Sequence, residues 1–176
     1  MKITLVRHAE VEERYQGCYN GHIDIGLSIE GERQAEALHR HLERSSFDAV
    51  YCSDLRRAVD TLKFITCEPI LTPELREKSW GRHEGLRYEQ ITAMEQKEYE
   101  DFFQWISVLD GESLESFLKR IEAFFINVME RPYNSVLIVT HGGVMKAFQH
   151  LFFNVGLEEA FGLNIPYASI LEYELH

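Results

Sequence analysis

Short apolar runs that give way at once to segments of helical periodicity constrain this chain most, because helices between strands leave little choice but a parallel sheet covered on both faces. Ile3 to Val6 is one such run, Asp48 to Cys52 a second and Val136 to Val139 a third, and Ile170 to Tyr173 adds a last strand. Leu55, Ala58, Val59, Leu62 and Ile65 recur at helical spacing after the second run, and Leu114, Phe117, Leu118, Ile121, Phe124, Phe125 and Val128 before the third. Another helix carries Ala35, Leu38 and Leu42, with Ser28 placed to cap it; Ser53 and Asp54 offer capping oxygens to the helix after the second strand. The expectation is a three-layer α/β/α sandwich with a mainly parallel central sheet. With 176 residues and no Pro/Gly/Ser-rich linker, one domain over 1–176 is expected. Residues 85–110 fit least well. Their Tyr88, Tyr99, Phe102, Phe103 and Trp105 predict helices beside or over the site, with aromatics read first as packing and alternatively as a substrate cap.

Ligands of open α/β sheets bind beyond the carboxyl ends of the strands. Here three predicted strands end in residues suited to phosphate: Arg7 with His8, Arg57 one turn into its helix, and His141. Arginine presents a planar fork that stays protonated, and a histidine neutral near pH 7 offers a ring nitrogen as nucleophile. Gly142 and Gly143 open a helix after the third run, where free amides favour an anion. Taken singly, His8 reads as a hydrogen-bonded histidine and Gly-Gly as a turn; their convergence predicts phosphoryl transfer.

A net charge of −11 without a basic stripe argues against nucleic acid, although arginine forks acting at short range still admit a small phosphorylated metabolite. The opening MKITLV is too short for a signal peptide and no apolar stretch is long enough to span a bilayer, so no membrane partner and a cytoplasmic location are expected. Cys18, Cys52 and Cys67 form an odd set without C-x-x-C spacing, which reads as reduced thiols. His22, His39, His41, His83, His150 and His176 read as surface or helix-facing imidazoles, and neither a metal nor a cofactor is expected.

Five segments then occur in one order: LVRHAE, SDLRRAVDT, LREKSWGRHEG, the GES of Gly111 to Ser113, and VTHGG. Together they resemble the motifs of the histidine phosphatase, or phosphoglycerate mutase-like, superfamily. The resemblance implies that fold, with His8 as a nucleophile that becomes phosphohistidine and His141 as a second, charge-stabilising histidine. It also implies Arg7 and Arg57 on the phosphate, with Arg56 a solvated neighbour, and Glu77 as the group that protonates the leaving alcohol and later activates water. Two positions depart from the pattern. Ala9 replaces a glycine, and aligning Gly17, Gly21 and Asp24 puts Arg14 where an asparagine usually meets phosphate. Arg14, Asn20 as its substitute, Gly21 and Gly142 are therefore the expected phosphate-binding set. The implied activity is metal-independent hydrolysis of a phosphomonoester, in a compact chain somewhat similar to α-ribazole phosphatases and expected to be a monomer or homodimer. Phosphoglycerate mutase-type transfer, phosphohistidine-protein phosphatase activity and a non-catalytic phosphate-binding module are the alternatives.

Overall fold

A computed structural model describes residues 1–66 and 68–175, so Cys67 and His176, both read above, lie outside the described residues. The first apolar run becomes strand β1 (Lys2–Arg7), followed by helix α1 (Ile29–Leu42), strand β2 (Ala49–Ser53), helix α2 (Arg56–Leu62) and strand β3 (Ile70–Thr72). Helices α3 (Tyr88–Glu95), α4 (Phe102–Val108) and α5 (Leu114–Met129) precede strand β4 (Ser135–Thr140), and helices α6 (Gly142–Phe153) and α7 (Leu157–Gly162) lead to strand β5 (Ile170–Glu174). The strands form one sheet in the order β3-β2-β4-β1-β5, parallel except for β5, which runs antiparallel beside β1. The fold is thus the expected α/β sandwich with a mainly parallel sheet.

Side chains of a strand alternate between faces, and β4 shows what a doubly covered strand needs. Val136 and Ile138 join Ile3 and Leu5 of β1 under Phe117, Ile121 and Phe125 of α5 and Phe148 of α6. Leu137 and Val139 join Val6 and Cys52 under Leu38 and Leu42 of α1 and Ala58 and Leu62 of α2. A third, smaller cluster stands apart: Ile91 of α3 with Ile106 and Leu109, wrapped by Tyr19, Trp80, Phe102 and Trp105. No helix among the described residues is long and apolar enough to cross a membrane.

Capping follows the sequence at α1 and α5, where the Ser28 and Ser113 hydroxyls accept from the amides of Gly31 and Ser116. At α2 it does not. The Asp54 carboxylate is held instead by the Arg76 guanidinium at 2.7 and 2.6 Å, Ser53 turns toward His141, and Asp24 from a distant loop accepts the Arg56 amide at 2.9 Å. Ile65 falls outside α2, because the chain closes into turns from Lys63 onward. Strand β3 was not foreseen, its Ile70 and Leu71 being half exposed at the sheet edge and lacking alternation.

Candidate active site

At the carboxyl ends of β1, β2 and β4, which are neighbours in the sheet, backbone pairing fixes where the chemistry gathers. The His8 amide donates to the Thr140 carbonyl at 2.8 Å and the His8 carbonyl accepts from Ala168, so the residue after β1 is held on both sides. Behind it, the Thr61 hydroxyl accepts the Ala9 amide at 2.9 Å and donates to the Arg57 carbonyl. Ala9 is fully buried and does not take a positive φ, which is why a β-carbon is accommodated in place of the glycine. The His8 and His141 rings lie 5.1 Å apart between centroids.

Hydrogen bonds set both tautomers. A carbonyl can only accept, so the 2.8 Å contact between His8 Nδ1 and the Ala9 oxygen puts the proton on Nδ1 and leaves the Nε2 lone pair free. For His141 the reverse holds: Arg57 Nε donates to Nδ1 at 3.2 Å, so Nε2 carries the proton and donates it to the Ser53 hydroxyl at 2.8 Å. Burial, reinforced by Arg57, pushes both imidazoles well below the ordinary histidine value; Arg7 adds to this for each, and His8 itself does so for His141. His141 is therefore neutral in this arrangement, and the guanidiniums carry the positive charge. Burial also lowers Arg57, to about 10 against the pull of Glu77, Glu84 and Asp24, and leaves it protonated at neutral pH.

The anchoring of Arg57 accounts for the loop before it. Nη1 donates to the Ile23 carbonyl at 2.9 Å, and Nη2 to the carbonyls of Asn20 and Gly21 at 2.7 Å each. With the bond to His141, four of the five N–H groups of a guanidinium are engaged. The same loop is gripped from outside by Glu84, whose carboxylate accepts the amides of His22, Ile23 and Trp80. Arg7 donates Nη1 to the Ile165 carbonyl and stacks on Tyr167 at 4.1 Å, while its buried Nε has no acceptor among the described residues. Glu77 lies across the start of α6, accepting from Gly143 at 2.8 Å and Lys78 at 3.0 Å. A β-carbon at Gly143 would strike that carboxylate. The helix-start amide expected to face a phosphate thus already holds the carboxylate of Glu77.

A cavity of about 410 Å³ opens on this cluster, lined at one end by Arg7, His8, Asn20, Arg57, Glu77, His141 and Gly142. Gly21 stays behind the lining, tightly packed against Lys78, Trp80 and Glu84. The Asn20 amide donates to the Tyr15 carbonyl at 2.6 Å and its buried Oδ1 has no partner among the described residues. Arg14 is not brought to the cavity: it stacks on Tyr15 at 4.4 Å and faces Glu12 at 3.6 Å with its side chain mostly in solvent. Its place on the short 3₁₀ turn Glu13–Tyr15 points it away from the strand ends.

Among the aromatics of 85–110, Phe102 and Trp105 line the cavity, whereas Tyr88 and Tyr99 pack on Trp105 and Phe103 is half exposed. Ser53, Lys78, Lys146 and Tyr167 were not foreseen as site residues. Ser53 gave a capping signal, Lys78 stands alone between polar residues, and Tyr167 lies on a segment without periodicity. Two histidines also differ from expectation. His83 is fully buried, bonded to Glu95 and to the Asp110 amide, and His22 donates Nε2–H to the Glu77 carbonyl at 3.0 Å. No cluster of three or more His, Cys, Asp or Glu side chains suited to a metal occurs among the described residues.

Residues 3–176 match the model of the histidine phosphatase superfamily (branch 1). The putative phosphoserine phosphatase 2 of Hydrogenobacter thermophilus is 31% identical over 99% of this chain and 89% of its own length. The adenosylcobalamin/alpha-ribazole phosphatase of Escherichia coli K12 is 31% identical over 82% of this chain and 75% of its own. Among solved structures, the alpha-ribazole phosphatase from Shigella flexneri superposes with a TM-score of 0.87 at 27% identity, covering 100% of this chain and 91% of that one.

Proposed function

We propose that this chain, which belongs to the histidine phosphatase superfamily, hydrolyses small phosphomonoesters through a phosphohistidine on His8. One observation carries the reading: the Nδ1–H of His8 is committed to the Ala9 carbonyl, leaving the neutral Nε2 as a nucleophile in a cavity walled by Arg7 and Arg57. The Nε2 lone pair attacks phosphorus in line as the bond to the leaving oxygen breaks, and the carboxyl proton of Glu77 passes to that oxygen. Water then attacks phosphorus and gives a proton to the Glu77 carboxylate; as the new O–P bond forms the N–P bond breaks, its pair returns to Nε2 and phosphate leaves. Arg7 and Arg57 meet the charge on the equatorial oxygens, with His141 fixed beside them. Relatives named phosphoserine phosphatase and alpha-ribazole phosphatase support ester hydrolysis and a metabolite-sized substrate.

Rapid quench into alkaline detergent during turnover of a radiolabelled phosphomonoester should trap a base-stable phosphate on His8 that is lost on later acid treatment. In His8→Ala both the label and hydrolysis should disappear, a loss of about a thousandfold or more. Full activity in that variant defeats the reading.

A further inference from the structure

The cavity lining also holds two ammoniums, those of Lys78 and Lys146, to which the proposed hydrolysis assigns no part. Lys78 is 1% exposed, yet its ammonium has only the Ser79 carbonyl at 3.2 Å and the face of Trp80 at 4.3 Å. Lys146, half-buried on α6 one turn after Gly142, donates only to the Phe161 carbonyl at 2.8 Å. Neither ammonium is ion-paired to a carboxylate among the described residues. Each has three N–H groups, so two on each remain without a protein acceptor among the described residues. Burying a cation without a contact ion pair is costly, and burial pushes both lysines below their ordinary value even against the pull of Glu112, Glu77, Asp110 and Glu84 on Lys78 and of Glu77 on Lys146. A fold keeps such a charge where something else supplies the counter-ion.

Both lysines reach aromatic wall. Trp80 beneath Lys78 packs edge-on to Tyr19, whose hydroxyl accepts from Trp105 at 2.7 Å, and Phe161 above Lys146 packs on Phe102. We infer that Lys78 and Lys146 form a subsite for a second anionic group, carried by the leaving alcohol of the substrate on a flat or apolar body seated against Trp80, Trp105 and Phe102. The subsite deepens the phosphatase reading and rests on it. A cationic leaving group meets the wrong sign here, since Glu77 is the only carboxylate lining the cavity among the described residues.

Three aryl esters test it: 4-carboxyphenyl phosphate, 1,4-phenylene bisphosphate, and 4-methylphenyl phosphate as the neutral reference. The wild-type protein should favour at least one anionic ester over the reference by about tenfold in kcat/KM, and whether the carboxylate or the second phosphate gains more identifies the anion. Lys78→Met and Lys146→Met should each cut that preference about tenfold, mainly through KM. Should Lys78→Met fail to fold, half-buried Lys146 carries the same measurement. Equal kcat/KM for all three esters, or a preference untouched by both variants, overturns the subsite and leaves the phosphatase reading standing. Hydrolysis of none of them removes that reading, and the subsite with it.

Discussion

The two ends of the cavity are built differently. Around His8 and His141 nearly every polar atom is committed: ring nitrogens to Ala9, Arg57 and Ser53, and the Arg57 fork to loop carbonyls that Glu84 holds in turn. At the other, aromatic end the walls come from the short helices α4 and α7 and the loops beside them, and the two lysines of the lining each donate to a single carbonyl. The first end is fixed by backbone pairing of adjacent parallel strands, so its geometry is expensive to change. The second depends on side chains of elements with few sheet contacts, where substitution alters what fits without disturbing the chemistry.

If that division is right, losses should be steep at the strand ends and shallow away from them. Glu77→Gln removes the proposed proton donor while keeping an acceptor for Gly143, and kcat should fall by about a hundredfold to ten-thousandfold. The fall should be greater for an alkyl than for an aryl ester, since a poor leaving group needs the proton more; equal losses would assign Glu77 to positioning alone. Acid should come next. His8 and His141 titrate below 6.5 when folded and near it when unfolded, so below pH 6.5 the unfolded chain binds protons that the folded one refuses. Stability is then complete above that pH and is lost on acidification toward the folded values, at up to about 1.4 kcal/mol per proton per pH unit. Urea unfolding from pH 7 to 5 should show this slope, and His8→Asn should make it shallower.

Ser53→Ala sharpens the comparison further. With no acceptor for Nε2–H, His141 keeps Arg57 but loses the second of its two orienting partners, and kcat should drop about tenfold with a shifted acid limb of the pH–rate profile, while Ser53→Thr restores both. A purely structural Ser53 would leave the profile where it was. Smallest of all, Arg14→Ala should change kcat/KM by less than about twofold, its side chain being solvated on Tyr15 outside the cavity. A large effect there would show that the loop folds inward when substrate binds.

Periodicity made the main layers legible, since the patterns of β4 and α5 admit few other readings. Strand β3 stayed hidden because three residues at a half-exposed edge carry no pattern. Within the site, Arg7, His8, Arg57 and His141 were recognisable from residue type and strand-end position, and the cavity brings them together. Arg14 was misplaced because motif alignment fixes spacing along the chain, and direction depends on the turn that carries the side chain. Ser53, Lys78 and Tyr167 acquire their parts only through neighbours far away in sequence, such as His141 for Ser53 at a separation of 88 residues. The glutamate of the GES segment belongs to this class too. Glu112 grips Arg120, which donates to the carbonyls of Glu74 and Arg76 just before Glu77.

Strand β1 precedes the other four strands along the sequence, yet it lies between β4 and β5, the two that follow furthest behind it. Until both have joined the sheet, His8 at the end of β1 has no strand on either side, so the pairing that sets it beside His141 waits for the most long-range contacts of the fold.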